Sequence, residues 1–403
     1  MTVQATLIAF YLPQFHPIPE NDVWWGKGFT EWTNVTKARP LFSGHYQPRL
    51  PADMGYYDLR VPEVREAQAQ LARNAGIEGF CYYHYWFDGK RLLERPFTEV
   101  VASGKPDFPF CLCWANQTWS GIWHGNPERK LIEQTYPGPE DNRRHFFALR
   151  EAFLDERYVR FKGRPIFVIY RPTEVPDVTS LIRQWQGLAV QSGLPGIYFV
   201  AHLFPHEAAW DFRSRGFDSC TVVSTHKVFG VSVRQIILGK NGNPFQFPAR
   251  FGVGGDRDPL KGWIRDWMWR RYRSSLGQFG EGVRQYRHAL PYLLHGCSDQ
   301  PSVYPTVIPN WDNTPRSHTR GVVLHESTPE LFRIHLRDAL NLVKSRPVED
   351  RIIFIKSWNE WAEGNYLEPD QKFGHDYLKV IREEISAPSS SSLKEKPKAI
   401  DDE

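Results

Sequence analysis

The sequence predicts one α/β domain, a (β/α)8 TIM barrel with long loops after strands 1, 3 and 6. Three observations carry this. Eight short apolar runs alternate with amphipathic helical stretches. Most of the runs are almost continuously apolar, as strands of a parallel sheet covered on both faces are. No glycine-rich phosphate loop follows the first run, which argues against a doubly wound open sheet. The 403 residues, 41% of them hydrophobic, are enough to build such a core.

In chain order, residues 6–12 read as the first strand. Residues 58–74 read as a helix, with Gly76 just beyond its end. Residues 77–84 form the second strand, 92–103 a short helix and 108–114 the third strand. A helix over 142–153 precedes the fourth strand, 165–170. Helix 176–192 and strand 196–201 follow, then a sixth strand at 219–224 and a seventh at 304–309. Residues 329–345 form a helix starting from Thr328 as N-cap. Residues 352–358 are the eighth strand. The barrel occupies residues 1–386, and 387–403, rich in Ser, Lys, Pro and acids, form a disordered polar tail.

The long connections are 13–57, 115–163 and 225–303, the last holding a Trp/Arg-rich helical segment at 263–273. Each follows a strand, so each sits on the face where barrels carry their active sites.

The net charge of +4 is dispersed apart from Arg270-Arg271-Tyr272-Arg273, and no nucleic-acid module accompanies it, so no nucleic-acid partner is expected. No stretch has the length of a membrane span. Met1-Thr2-Val3-Gln4 leads directly into the first apolar run without a signal peptide, so the expected location is cytoplasmic. The five cysteines are odd in number and scattered, which reads as buried inert thiols, not a disulfide framework or a metal site. No cofactor and no metal are expected.

The strand exits share one chemical vocabulary of amide, imidazole, phenol and indole. Tyr11 and His16 follow the first strand, Tyr83 and His84 close the second, and Trp114, Asn116 and Trp119 follow the third. His202 ends the fifth, Trp311 and Asp312 the seventh, and Trp358 and Asn359 the eighth. Trp25 and Trp32 lie in the first long loop, near Trp24, and Trp123 lies beyond Trp119. Flat rings suit the faces of a saccharide, and the polar groups suit its hydroxyls. Apart from Trp24 and Trp123, these are the fourteen candidate substrate-binding residues; for the loop tryptophans the alternative is a satellite cluster tying the loops to the barrel. For Asp312 the alternative is an Asx turn before Asn313-Thr314-Pro315, and for His16 a satisfied structural histidine. Glu31 is a reserve acid, or more simply a surface carboxylate.

Glu360 and Glu363 are the candidate catalytic pair. At a strand-to-helix turn, residues three apart can face one side. Neighbouring carboxylates push their pKa values apart, which supplies an acid and a base. The alternative is an acidic helix N-terminus.

Three longer motifs carry a resemblance. They are Phe10-Tyr11-Leu12-Pro13-Gln14-Phe15-His16-Pro17, Trp24-Trp25-Gly26-Lys27-Gly28-Phe29-Thr30-Glu31-Trp32, and Trp358-Asn359-Glu360-Trp361-Ala362-Glu363-Gly364-Asn365-Tyr366-Leu367-Glu368-Pro369. With Phe80-Cys81-Tyr82-Tyr83-His84-Tyr85-Trp86 and Trp311-Asp312-Asn313-Thr314-Pro315-Arg316, they resemble the WbsX-type proteins. Those are often labelled glycosyltransferases of surface-polysaccharide gene clusters and are related to the endo-α-mannosidases of glycoside hydrolase family 99.

The resemblance implies metal-free chemistry on an α-linked sugar. Glu360 would take the proton of the 2-hydroxyl while the 2-oxygen attacks the anomeric carbon, giving a 1,2-anhydro sugar. Glu363 would protonate the leaving oxygen and then activate water, with net retention. Ala362 stands where the mannosidases tend to carry histidine, so mannose is not carried over as the substrate.

The expected function is therefore a retaining glycoside hydrolase acting on an α-linked polysaccharide or oligosaccharide. A glycosyltransferase or transglycosidase of O-antigen or capsule biosynthesis is the first alternative, although no Asp-x-Asp metal motif or nucleotide-sugar fold is evident. A non-catalytic glycan-binding protein is the second; it would tolerate loss of either glutamate.

Overall fold

The computed structural model describes residues 4–121, 126–207, 209–224 and 282–386. Trp123, the Trp/Arg-rich segment at 263–273 and the tail at 387–403 lie outside the described residues.

All eight strands form. They are β1 (Thr6–Tyr11), β2 (Gly79–Phe87), β3 (Phe110–Trp114), β4 (Arg164–Ile169), β5 (Tyr198–Leu203), β6 (Ser219–Val222), β7 (Val303–Val307) and β8 (Ile352–Ile355). Each pairs in parallel with its neighbours, and β1 pairs with both β2 and β8, so the sheet closes on itself. Closure brings the C-terminal ends of all eight strands to one face.

The side-chain period of two sets which residues enter the barrel. Phe10 stacks on Tyr83 at 5.5 Å and on Phe354 at 5.4 Å, and meets the edge of His202 at 5.9 Å. Those four point inward. Their neighbours Tyr11 and Tyr82 point outward and pack together at 4.4 Å. Tyr11 then donates to Gln68 Oε1 at 2.6 Å, on the helix α1 (Pro62–Ala75).

Most of the predicted helices appear with trimmed ends. Helix α1 starts at Pro62 instead of residue 58, because the Asp58 carboxylate accepts from Arg60 N at 2.8 Å and folds a local turn first. Its end is capped by Gly76 at φ +87°. The predicted helix at 92–103 divides: Lys90–Leu92 turns back antiparallel on β2, and α2 (Arg95–Ser103) follows. Helices α3 (Pro139–Leu154) and α4 (Val178–Gln191) cover β3 to β5. Helix α5 (Pro329–Val343) has Thr328 as its N-cap, accepting from Leu331 N at 3.3 Å. Helix α6 (Asp376–Ser386) ends the described chain.

The connection after β1 carries two short helices, Pro19–Trp25 and Glu31–Lys37. The one after β3 carries a hairpin, Trp119–Gly121 with Asn126–Ile132. No described helix is long and apolar enough to cross a membrane.

Candidate active site

The eighth strand exit builds the centre of the site. Beyond β8, Lys356 N donates to Val307 O at 2.9 Å and Trp358 N to Phe10 O at 2.7 Å. Asn359 then clamps the exit of β1, its Oδ1 accepting from Leu12 N at 2.7 Å and its Nδ2 donating to Leu12 O at 3.0 Å. Glu360 pairs with Asn365 across a two-residue ladder, and Trp361–Glu363 form a 3-10 turn. In such a turn positions three apart eclipse, so Glu360 and Glu363 come to one side. With only three residues in the turn, the alternative of acids stabilising a helix N-terminus has no helix to act on.

Gly364 ends the turn at φ +64°. A Cβ there would lie 2.8 Å from Asp312 N, so both the backbone conformation and the close approach require glycine. That approach lets Asp312 N donate to Glu363 O at 2.7 Å.

Both glutamates open into a cavity of about 360 Å³, within the roughly 300–1,000 Å³ common for small-molecule sites. Trp25, Trp119, Tyr83, Tyr85 and Tyr170 wall it; Gln14, Gln117, Arg316 and Lys356 add polar groups. The Lys356 ammonium lies 3.0 Å from Glu360 Oε2 and donates to Tyr83 OH at 2.6 Å. It also lies between 5.2 and 5.9 Å from the ring centres of Phe10, Tyr83, Tyr170 and Trp311. Burial pushes the Glu360 carboxyl above the usual carboxylate range; Lys356 opposes that push and Glu363 adds to it. The Lys356 charge is favoured despite its burial, chiefly by Glu360. Glu363, whose side chain is 20% exposed, pairs with Arg316 Nη1.

Of the fourteen predicted binding residues, Trp25, Tyr83 and Trp119 line this cavity. The others are placed otherwise. Trp311 is half-buried beside Lys356. His202 is fully buried against Tyr170, 4.4 Å away; burial, then the charges of Lys356 and Arg171, hold it neutral with its pKa well below 6.5. His84 points outward to His145 of α3, with 2.8 Å between their Nε2 atoms, and Trp114 meets the same ring at 4.9 Å. Asn116 latches two exits together, donating to Arg171 O at 2.9 Å and accepting from Arg171 N at 2.8 Å. His16 Nδ1 lies 3.0 Å from Pro13 O. Trp32 donates to Tyr57 O at 2.8 Å inside a ring cluster with Phe15 and Trp361. Trp358 packs on Phe80 at 5.2 Å, fully buried. Asp312 is sealed: His45 Nε2 at 2.7 Å, Gln47 Nε2 at 2.8 Å, and Thr314 N and Oγ1 at 3.0 and 2.6 Å surround it. The first loop's tryptophans are therefore of two kinds, Trp25 a cavity wall and Trp32 a structural post.

Sequence reasoning did not select Arg316, Lys356, Tyr85 or Tyr170. Strand parity points to two of them, since Tyr85 is in phase with Tyr83, and Lys356 with Phe354. No group of acids, histidines and cysteines among the described residues is arranged to hold a metal ion.

The described residues form a closed parallel barrel of eight strands whose exits place two glutamates in a ring-walled cleft. The chain belongs to the family described as Glycosyltransferase WbsX, which it matches over residues 7–381. It is 38% identical over 389 residues to the uncharacterized protein WxcX from two strains of Xanthomonas campestris pv. campestris. That match covers 96% of this chain but 50% of WxcX, so the chain spans about half the length of these relatives. Among solved structures it is similar to a glycoside hydrolase-like protein, with TM-score 0.54, 14% identity, and coverage of 96% of this chain and 95% of that one. It is also similar to the GH99 endo-alpha-mannosidase from Bacteroides thetaiotaomicron, with TM-score 0.53, 13% identity, and coverage of 96% and 100%. At such identity the likeness is one of fold.

Proposed function

We propose that this protein transfers a glycosyl group from an α-linked donor to a second sugar, with retention, using Glu360 as base and Glu363 as acid. The observation that carries the reading is that both carboxylates open into one ring-walled cavity, Glu360 beside Lys356 and Glu363 beside Arg316. The family description favours transfer.

Burial makes Glu360 a stronger base than an ordinary carboxylate, which suits removal of a hydroxyl proton. In the first step Glu360 takes the 2-hydroxyl proton and the 2-oxygen bonds to the anomeric carbon. The bond to the leaving oxygen breaks, and that oxygen takes the proton of Glu363. In the second step the Glu363 carboxylate accepts the proton of an acceptor hydroxyl, whose oxygen bonds to the anomeric carbon. The epoxide bond breaks, and the 2-oxygen recovers its proton from Glu360. Two inversions leave the configuration retained. The partial exposure of Glu363 suits the group that meets both leaving and entering oxygens.

Hydrolysis is the second reading, favoured by the barrel's likeness to the endo-mannosidase; water then replaces the acceptor sugar. A product screen on defined α-linked oligosaccharides, with and without nucleotide sugars, tests both. Longer products from oligosaccharide alone support transglycosylation, and shortened ones hydrolysis. Products that require a nucleotide sugar exclude the oligosaccharide donor. A 2-deoxy donor is expected to bind without reacting; its normal turnover excludes the epoxide route.

A further inference from the structure

Glu31 reads from the sequence as a reserve acid or a surface carboxylate, and the fold makes it neither. It is fully buried at the start of the short helix Glu31–Lys37, with its N–H donating to Gln14 O at 2.9 Å. Its Oε1 accepts from Arg316 Nε at 2.8 Å and lies 2.5 Å from Arg316 Nη2. The third nitrogen of the same guanidinium, Nη1, holds Glu363. Arg316 thus presents one edge to a buried carboxylate and its far corner to the candidate acid, a geometry that a planar fork allows and an ammonium does not.

The anchoring matters for the chemistry. A guanidinium held at two of its nitrogens by a buried carboxylate is fixed in orientation, so its third nitrogen gives Glu363 a partner in a set place. Burial pushes the Glu31 carboxyl up, Arg316 opposes this, and Glu363 and Glu360 push it up again, so the three acids act on one another. The remaining ionisable groups that face them come from other strand exits: Lys356 at 3.0 Å from Glu360, and the phenols of Tyr83, Tyr85 and Tyr170 on the cavity wall.

We propose that Glu31 is a positioning residue: by anchoring two nitrogens of the Arg316 guanidinium it fixes the third, and through it aims the Glu363 carboxyl at the cavity. This rests on the reading of Glu363 as the acid.

The test has one arm that needs no substrate. In protein labelled with glutamate carrying ¹³C at the side-chain carboxyl, the Glu363 signal is the one lost in Glu363→Gln. In Glu31→Gln, where the guanidinium loses its buried anchor, that signal is expected to change in chemical shift and to broaden. The second arm uses whichever α-linked oligosaccharide the product screen shows to be turned over. There kcat at pH 7 falls about tenfold or more in Glu31→Gln while KM stays within about threefold. Glu31→Asp, which restores the charged anchor, recovers both the signal and kcat. Arg316→Lys, which keeps the charge without the fork, loses kcat as Glu31→Gln does.

An unmoved Glu363 signal in Glu31→Gln overturns the proposal, as does an Asp variant as impaired as the Gln variant, or an Arg316→Lys variant with normal kcat. A moved signal with no turnover of any α-linked oligosaccharide keeps the Glu31–Glu363 link and defeats the proposed reaction instead.

Discussion

β7 runs out into Asn310-Trp311-Asp312 and β8 into Trp358-Asn359-Glu360, each exit supplying an amide, an indole and a carboxylate. Asp312 is closed off by four donors, with the Arg49 guanidinium 3.9 Å away. Burial works against its charge, but the hydrogen bond from His45 and the Arg49 and His45 charges hold its carboxyl below the usual range. Glu360 accepts from Lys356 and otherwise faces the cavity. A carboxylate among rings becomes a structural post when the fold fills its lone pairs and a chemical group when it leaves some of them to a substrate. Thr314 supplies two of those donors locally; the other two, His45 and Gln47, come from the first long connection, 267 and 265 residues away.

The largest effect that tests this contrast is on turnover. Glu360→Gln and Glu363→Gln are each expected to lower kcat by about a thousandfold or more while ligand binding is kept, as for loss of an acid or base. Normal rates in either variant, measured on the oligosaccharide from the product screen, break the contrast at its catalytic end.

Glu368 sharpens the contrast from a third position. It is as sealed as Asp312, with Trp361 Nε1 and Gln68 Nε2 at 2.6 Å and Tyr57 OH at 2.8 Å. Its donors are all neutral, however, and burial prevails: its carboxyl is pushed up to about 7. An acid whose folded pKa exceeds its unfolded value of 4.5 binds more protons in the fold, so stability falls as pH rises from 4.5 to about 7. The total fall from this group is about 3 kcal/mol. Denaturant unfolding across that range is expected to show a flatter profile in Glu368→Gln, and an equal slope would remove Glu368 from the account.

Asp312→Asn comes next. It leaves buried donors poorly matched and is expected to cost about 1–3 kcal/mol of stability. Per folded molecule, kcat stays within about threefold, the contrast with Glu360 being one of role. Because its folded pKa is depressed, the wild-type contribution is present above the ordinary 3.8 and lost as pH falls below it. Acid unfolding curves of the two proteins are therefore expected to converge at low pH.

The smallest effect concerns the cavity wall. Trp119→Ala and Trp25→Ala are each expected to raise KM by up to about tenfold, from lost ring stacking, with kcat nearly unchanged. Trp32→Ala, a post with its N–H on Tyr57 O, is expected to lower the unfolding midpoint instead.

Legibility in the sequence divides along the same line. The eight strands announce themselves because a parallel barrel strand is buried on both faces. Glu360 and Glu363 stand out because acids three apart among indoles are unusual. Strand parity carries more than exit position alone: Tyr83 and Tyr85 point in, whereas His84 between them turns to His145. Exit position by itself overstates the site, which is why Asn116, Asn359 and Asp312 read as sugar ligands and turn out to tie the chain to itself. Lys356 shares its phase with the inward Phe354, but Arg316 sits in a turn, where nothing local tells a cavity-facing cation from a surface one.

What the sequence determined alone was periodic and local: the strand runs, the three-residue spacing of Glu360 and Glu363 at a strand exit, and the Thr328 cap. These follow from covalent geometry and from which residues prefer to leave water. Only the tertiary structure decided which carboxylates are satisfied, which cation stands beside which acid, and which tryptophans face the cleft. Those depend on partners far apart in the chain, 265 residues for Gln47 and Asp312 and 285 for Glu31 and Arg316, and hydrogen-bond saturation is settled through space, not along the chain.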